Sequence, residues 1–219
     1  MTTAFVTGGN RGIGLELCRR FAARGDEVVA ACRIASPELR ETGAEIHEGI
    51  DVTNDESVRG LARTLEGRRI DILVNCAGIL TRESLDDLAF DRIREQFEVN
   101  AIAPLRVTAA LESCLGQGAK VAIITSRMGS IEDNTSGGRY GYRMSKAAVN
   151  IAGRSLAHDL AERGVSVFLL HPGMVATKMT GGQGIPPEEA AADLVARIDA
   201  LGPEQSGTFW HAKGDPLPW

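Results

Sequence analysis

Three features are scarce in this sequence, and each scarcity removes a class of protein. No apolar run approaches the roughly 20 residues that a bilayer crossing needs. The opening MTTAFVTGGN has no basic flank leading into an apolar stretch, so neither a membrane span nor an export signal is expected. Cysteines number four, Cys18, Cys32, Cys76 and Cys114, and they stand singly, with no CxxC and no Cys/His pair. No metal site is expected from them, and they read as reduced thiols of a cytoplasmic protein. Basic residues are outnumbered, with 24 Lys+Arg against 29 Asp+Glu and a formal charge of −5. Nucleic acids and anionic membranes are bound through clustered Lys and Arg, so no such partner is expected and a small molecule is.

What remains is an ordinary globular composition, 43% hydrophobic and 24% charged over 219 residues. That is enough chain to bury a core as one domain, 1–219. Short β-branched runs at 3–7, 27–32, 45–50, 70–76, 120–125, 165–170 and 207–211 predict seven strands. DILVN and KVAIIT are apolar at consecutive positions, as in parallel strands covered on both faces. Between the strands lie helical patterns. Ile13, Leu17 and Phe21 repeat every four residues with Gly25 as a stop, and Thr53 with Glu56 predicts a capping box ahead of Val58, Leu61 and Leu65. Ala190, Ala191, Leu194, Val195, Ile198 and Leu201 give a last helix one apolar stripe. Strands alternating with helices predict an α/β fold, doubly wound around a seven-stranded parallel sheet. The Gly/Pro-rich stretch 180–187 is expected to be a mobile loop, because the roughly 30 residues after it are too few to fold alone.

Directly after the first strand comes TGGNRGIG, with a helix opening behind it. Glycines there permit a tight turn and let backbone N–H groups approach a pyrophosphate at the helix N-terminus, where the helix dipole favours negative charge. The loop resembles the T-G-x-x-x-G-x-G loop of short-chain dehydrogenases/reductases. Further matches follow in order: Asp51 after the third strand, NCAG from Asn75 to Gly78, Asn100 in VNAIAP, Ser126, YRMSK from Tyr142 to Lys146, and HPGMVAT ending at Thr177. They span nearly the whole chain. The subgroup most similar is that of the small carbonyl reductases related to sniffer and the C-factor proteins, on the CR pair after strand two, SRMGSI and the tail GTFWHAKGDPLPW.

The resemblance implies a Rossmann domain that interconverts a small carbonyl and its alcohol with NADP(H). It implies a cofactor site built from Gly8, Asn10, Arg11, Gly12, Ile13, Gly14, Arg33, Asp51, Val52, Asn75, Ala77, Gly78, Pro172, Gly173, Val175 and Thr177, together with Tyr142 and Lys146. Asp51 is expected to accept from the adenine amino group or, as the alternative, to serve as a turn residue. Asn75 is expected to tie neighbouring strands. Relatives preferring NAD usually carry an acidic residue where Cys32 stands. With no carboxylate there, and with Arg33 and Arg11 able to donate charged hydrogen bonds, the site suits a 2′-phosphate.

Tyr142 and Lys146 are four residues apart and share one helix face. A free phenol titrates near 10, and an adjacent ammonium is expected to bring it toward neutrality for acid-base work. Tyr140 has Met144 at the corresponding offset and is the weaker candidate. Ser126 is expected to polarise the carbonyl oxygen, with Ser130 as the alternative serine. Pro104 has no N–H to donate to the Asn100 carbonyl four residues earlier, which frees that carbonyl for a water linked to Lys146. His171 is read as a strand-end residue, and Trp210 and Trp219 as packing groups. The other class in view is an NADP(H)-binding redox sensor or signalling protein with little turnover. The helix following Tyr142 packs between subunits in some relatives, so a homo-oligomer and a monomer both stand.

Overall fold

A computed structural model describes residues 1–219, and all seven strands form one parallel sheet. The strands are β1 (Thr3–Thr7), β2 (Glu27–Cys32), β3 (Glu45–Glu48), β4 (Ile70–Asn75), β5 (Leu115–Ile124), β6 (Ser166–His171) and β7 (Thr208–His211), in the spatial order β3-β2-β1-β4-β5-β6-β7. The helices are α1 (Gly12–Arg24), α2 (Pro37–Arg40), α3 (Asp55–Thr64), α4 (Phe90–Phe97), α5 (Ala103–Ala110), α6 (Tyr140–Asp159) and α7 (Pro187–Ala200). The order reverses between β1 and β4. In doubly wound sheets that switch point opens a crevice at the carboxyl ends of the strands, where ligands bind.

Consecutive apolar residues of each strand serve two cores. Ala4 and Val6 of β1, Val28 and Ala30 of β2 and Phe168 and Leu170 of β6 pack with Leu17 and Phe21 of α1 and Leu194 and Ile198 of α7. Phe5, Val29, Leu73, Val121 and Val167 face the other way, onto Val58 and Leu61 of α3, Val107 of α5 and Val149 of α6. Helices thus cover both faces of the sheet, as the uninterrupted apolar runs predict.

Several boundaries differ from expectation for local reasons. Asn54, not Thr53, caps α3, its Oδ1 accepting from the Ser57 N–H at 2.9 Å. Strand β3 stops at Glu48 because Gly49 turns the chain at φ 81°. Strand β5 begins at Leu115, earlier than its apolar run, and pairs with Ile70 across a register shift. Between α4 and α5 the chain forms a π-helical segment, Glu98–Ile102, just before Pro104. The stretch 180–187 is pinned: Ala176 donates to the Ile185 carbonyl and Ile185 to the Met174 carbonyl, both at 2.8 Å, and Thr177 and Thr180 cap a short 3-10 turn between them.

Candidate active site

The glycine loop closes over the end of β1. Gly8 and Gly12 sit at φ 70° and 54°, in the left-handed region open to glycine. A Cβ on Gly14 would stand 2.3 Å from the Gly8 carbonyl oxygen, so only glycine lets α1 start this close to the strand. Arg11 precedes α1 in extended backbone, and neither a side-chain cap nor an acid in the first turn covers the helix N-terminus. The positive end of the helix is left open for an anion. Ile13 is half-buried and packs on the core beneath the loop. Asn10 anchors the loop sideways, its amide donating to the Ile34 carbonyl at 3.0 Å. On the far side, the Thr177 methyl would lie 3.2 Å from a Cβ on Gly12, so the turn after β6 meets the glycine loop.

Cys32 ends β2 buried, and Arg33 follows it exposed. The guanidinium groups of Arg33 and Arg11 have no hydrogen-bonded or ionic partner, unlike those of Arg24, Arg68 and Arg106, which are tied to carboxylates. Asp51 is occupied as a turn residue: its Oδ1 accepts from the Thr53 N–H at 2.9 Å and the Thr53 hydroxyl at 2.7 Å. Those bonds, with Arg33 and Arg106 nearby, hold its carboxyl below the usual range. Val52, half-buried beside it, offers its carbonyl to Arg106.

Two tethers shape the end of β4. The Thr7 hydroxyl accepts from the Cys76 and Ala77 N–H groups, binding this segment to β1. Asn75 is 2% exposed and donates to Thr108 of α5 at 3.1 Å, leaving its Oδ1 unpartnered. It therefore ties the sheet to a helix, which corrects the expectation of a strand-to-strand tie. Asn100, in the π-helical segment, clasps the chain beyond Gly78. Its Oδ1 accepts from the Ile79 N–H at 2.9 Å, and its Nδ2 donates to the Ile79 carbonyl at 2.9 Å and to Ser145 at 3.0 Å. A Cβ on Gly78 would lie 3.3 Å from Asn100 Oδ1 and 4.0 Å from Lys146 Nζ, so these two side chains converge there.

Tyr142 is 8% exposed, Ser126 7% and Lys146 5%. The first turn of α6 thus carries the tyrosine against the end of β5. Burial pushes the phenol above its ordinary value, while the nearby Ser126 hydroxyl and the charge of Arg139 pull the other way. Lys146 departs from expectation. Its ammonium donates to the Ile124 carbonyl at 2.8 Å and lies 5.7 Å from the centre of the Tyr142 ring. Its hydrogen bond thus goes to the backbone of β5 and not to the phenol. Burial brings the lysine itself down to about 8.

The alternative groups are placed elsewhere. Tyr140 opens α6 half-buried. The Ser130 hydroxyl is engaged, accepting from the Asp133 N–H and donating to the Trp219 main-chain oxygen, both at 3.0 Å. His171 ends β6 edge-on to His211, 5.1 Å between ring centres, and burial takes it down to about 3, so it stays neutral. Pro172 and Gly173 turn the chain there, with Gly173 at φ 86°, and Val175 is buried behind them. Sequence reading missed Arg139, the one non-glycine residue at positive φ, 50°, which caps α6 and acts on Tyr142. The glycine pair before it was the available signal, since both sit in the same left-handed region.

The short chain dehydrogenase family model matches residues 2–185. The 1-hydroxy-2-glutathionyl-2-methyl-3-butene dehydrogenase of Rhodococcus sp. (strain AD45) is 45% identical over 226 aligned positions, covering all of both chains. The C-signal protein of Myxococcus xanthus is 44% identical over 154 positions, 68% of this chain and 93% of that one. Among solved structures, an NADPH-bound carbonyl reductase from chicken fatty liver superposes with a TM-score of 0.91 at 27% identity, covering 100% of this chain and 99% of that one.

Proposed function

The chain belongs to the short chain dehydrogenase family, and from that premise we propose that it is an NADP(H)-dependent oxidoreductase interconverting a small carbonyl compound and its alcohol. The observation that carries the reading is the buried meeting of Ser126, Tyr142 and Lys146 at the carboxyl edge of the sheet, the edge at which the open N-terminus of α1 also lies.

The residues present fit the cofactor. Gly14 and Gly8 let α1 and the end of β4 pack against the loop, where a Cβ would come 2.3 Å from the Gly8 oxygen and 3.0 Å from the Ala77 Cα, and this leaves the uncapped N-terminus of α1 open to an anion. The α1 N-terminus and Thr177 would hold the pyrophosphate. Arg33 and Arg11 would hold a 2′-phosphate, with Cys32 in place of a repelling acid. Ala77, Gly78, Gly173 and Val175 would flank the nicotinamide end. When bound, the nicotinamide supplies the hydride that reaches the carbonyl carbon.

Tyr142 gives its proton to the carbonyl oxygen in the reducing direction and takes it back in the other. A phenol holds its proton near neutrality and so has one to give, and charge brought beside it by the bound ligand and by Lys146 would favour its release. Ser126 donates to the same oxygen and meets the charge developing there. Lys146 would hold the nicotinamide ribose, and its pKa of about 8 lets it pass a proton near working pH. The Asn100 carbonyl, lacking a donor from Pro104, would place a water on the path from Lys146 to solvent.

The deciding experiment follows NADPH oxidation against aldehydes and ketones, and reduction of the oxidised cofactor against alcohols. The panel includes glutathione-bearing alcohols, because the relative 45% identical is named for one. Tyr142→Phe is expected to keep cofactor binding and lose about 10²–10⁴-fold in turnover, whereas Tyr140→Phe keeps the rate. A near wild-type rate in Tyr142→Phe removes the assignment. The relative named C-signal keeps a second reading in play: tight NADP(H) binding with no turnover on any panel member would favour a sensor.

A further inference from the structure

Three donors converge on one oxygen beside the proposed site. The main-chain oxygen of Trp219 accepts from the Ile131 N–H at 2.9 Å, the Glu132 N–H at 3.0 Å and the Ser130 hydroxyl at 3.0 Å. All three donors lie on the segment after β5, and that segment carries Ser126.

Between Ser126 and Ser130 the chain is one short 3-10 turn, Arg127–Gly129. It is internally braced: Ser126 Oγ accepts from the Met128 N–H at 3.1 Å and the Ser126 carbonyl from the Gly129 N–H at 2.8 Å. Its inner side is fixed by α6, because a Cβ on Gly129 would stand 2.7 Å from the Lys146 carbonyl carbon. Its outer side is fixed by the tail. The tail is itself well seated, with Leu217 donating to the Phe209 carbonyl at 2.8 Å, His211 to the Asp215 carbonyl at 2.8 Å, and Trp219 stacked on Phe209 at 5.7 Å. Leu217 and Phe209 share a buried cluster with Leu169 of β6. A continuous path of hydrogen bonds and packing therefore runs from β7 through Trp219 and Ser130 to Ser126.

We propose that Trp219 is a positioning residue: its main-chain oxygen latches residues 130–132 and so holds Ser126 against Tyr142. This rests on the reading of Ser126 and Tyr142 as the pair that acts on the carbonyl oxygen. It also gives Ser130 a role as the latch hydroxyl. The indole matters less than the oxygen, which any residue at 219 would supply.

The test compares the full chain with a chain ending at Pro218, Trp219→Ala and Ser130→Ala, measuring kcat, KM, the cofactor dissociation constant, melting temperature and the pH profile of kcat. The Pro218-ending chain is expected to lose about ten- to a hundredfold in kcat with unchanged cofactor affinity, the size of effect that misplacing a reacting group produces. Trp219→Ala keeps the oxygen and most of the rate, and Ser130→Ala falls between. The basic limb of the kcat profile should move to higher pH in the Pro218-ending chain, because Ser126 helps hold the phenol down.

An unchanged kcat and pH profile in the Pro218-ending chain overturns the proposal, as does a loss in Ser130→Ala equal to that in Ser126→Ala. If the truncated chain fails to fold, Ser130→Ala decides: full kcat with an unmoved profile rejects the latch. Wild-type rates in Ser126→Ala and Tyr142→Phe would instead remove the underlying reading. Loss in those two with an intact truncated chain removes the latch alone.

Discussion

Lys146 is a buried cation with no carboxylate beside it, so the protein should become more stable when it is removed. Burial lowers its pKa from 10.5 to about 8, which corresponds to a cost of about 3 kcal/mol for keeping the ammonium in the folded chain at pH 7. Lys146→Met keeps the length and the packing and removes that cost. It also removes the bond to the Ile124 carbonyl, 2.8 Å in the structure, a loss of about 1 kcal/mol. The net gain is about 2 kcal/mol, a rise in melting temperature of roughly 4–8 °C for a chain of this size. The pH dependence has a definite sign. Below pH 8 both states hold the proton and the cost is complete. Between about 8 and 10.5 the unfolded chain keeps a proton that the folded chain has released, so wild-type stability rises with pH and the advantage of Lys146→Met shrinks. Thermal melts of both cofactor-free proteins at pH 7 and pH 10 measure this directly, and NADPH turnover should be lost in the variant. A lower melting temperature for Lys146→Met at pH 7, or a gap equal at both pH values, refutes the reasoning.

Other substitutions test separate parts of the site. Arg33→Ala should weaken NADPH binding by about tenfold or more, since one charged hydrogen bond contributes roughly 1.5–3 kcal/mol, and leave NADH unchanged; paired dissociation constants check this, and equal losses would show that Arg33 supports the loop instead. Arg139→Gly relieves the left-handed backbone at φ 50° and should gain about 0.5–1 kcal/mol in a denaturant titration, while the basic limb of the kcat profile moves up with loss of the charge near Tyr142. Gly14→Ala drives a Cβ to 2.3 Å from the Gly8 oxygen, so cofactor affinity should fall at least about tenfold, with stability lower by roughly 1–3 kcal/mol in calorimetry.

The sheet was legible because its signal is local and repeated. Consecutive apolar residues in β4 and β5 announce two covered faces, and the loop TGGNRGIG announces both a turn and a helix start. What was illegible depends on partners distant in sequence. Thr53 and Asn54 are adjacent and both can cap; Thr53 is held by Asp51 at 2.7 Å, which leaves Asn54 to cap α3. Asn75 looks fitted to bridge strands, yet Thr108 lies within its reach. The four-residue spacing of Tyr142 and Lys146 puts both on one helix face, but spacing says nothing of the Ile124 carbonyl that takes the ammonium. Ser126 and Ser130 could not be separated by sequence, because the group that engages Ser130 is 89 residues away.

These differences fall into a pattern that bears on function. The polar side chains that the protein itself engages form a frame: Asn100 on Ile79, Asn10 on Ile34, Asp51 on Thr53, Ser130 on Trp219. Outside that frame, Arg11 at the open N-terminus of α1 and Arg33 after β2 have guanidinium groups tied to no carboxylate, and the Tyr142 phenol is buried near Ser126. A frame whose hydrogen bonds are already made does not need to reorganise when ligand arrives, so the free groups meet charge at little further cost. The two serines accordingly divide by what their hydroxyl protons do. The Ser126 hydroxyl accepts from the Met128 N–H and has its proton free to donate to a carbonyl oxygen, whereas the Ser130 hydroxyl accepts from Asp133 and donates its proton to Trp219, which puts it in the frame.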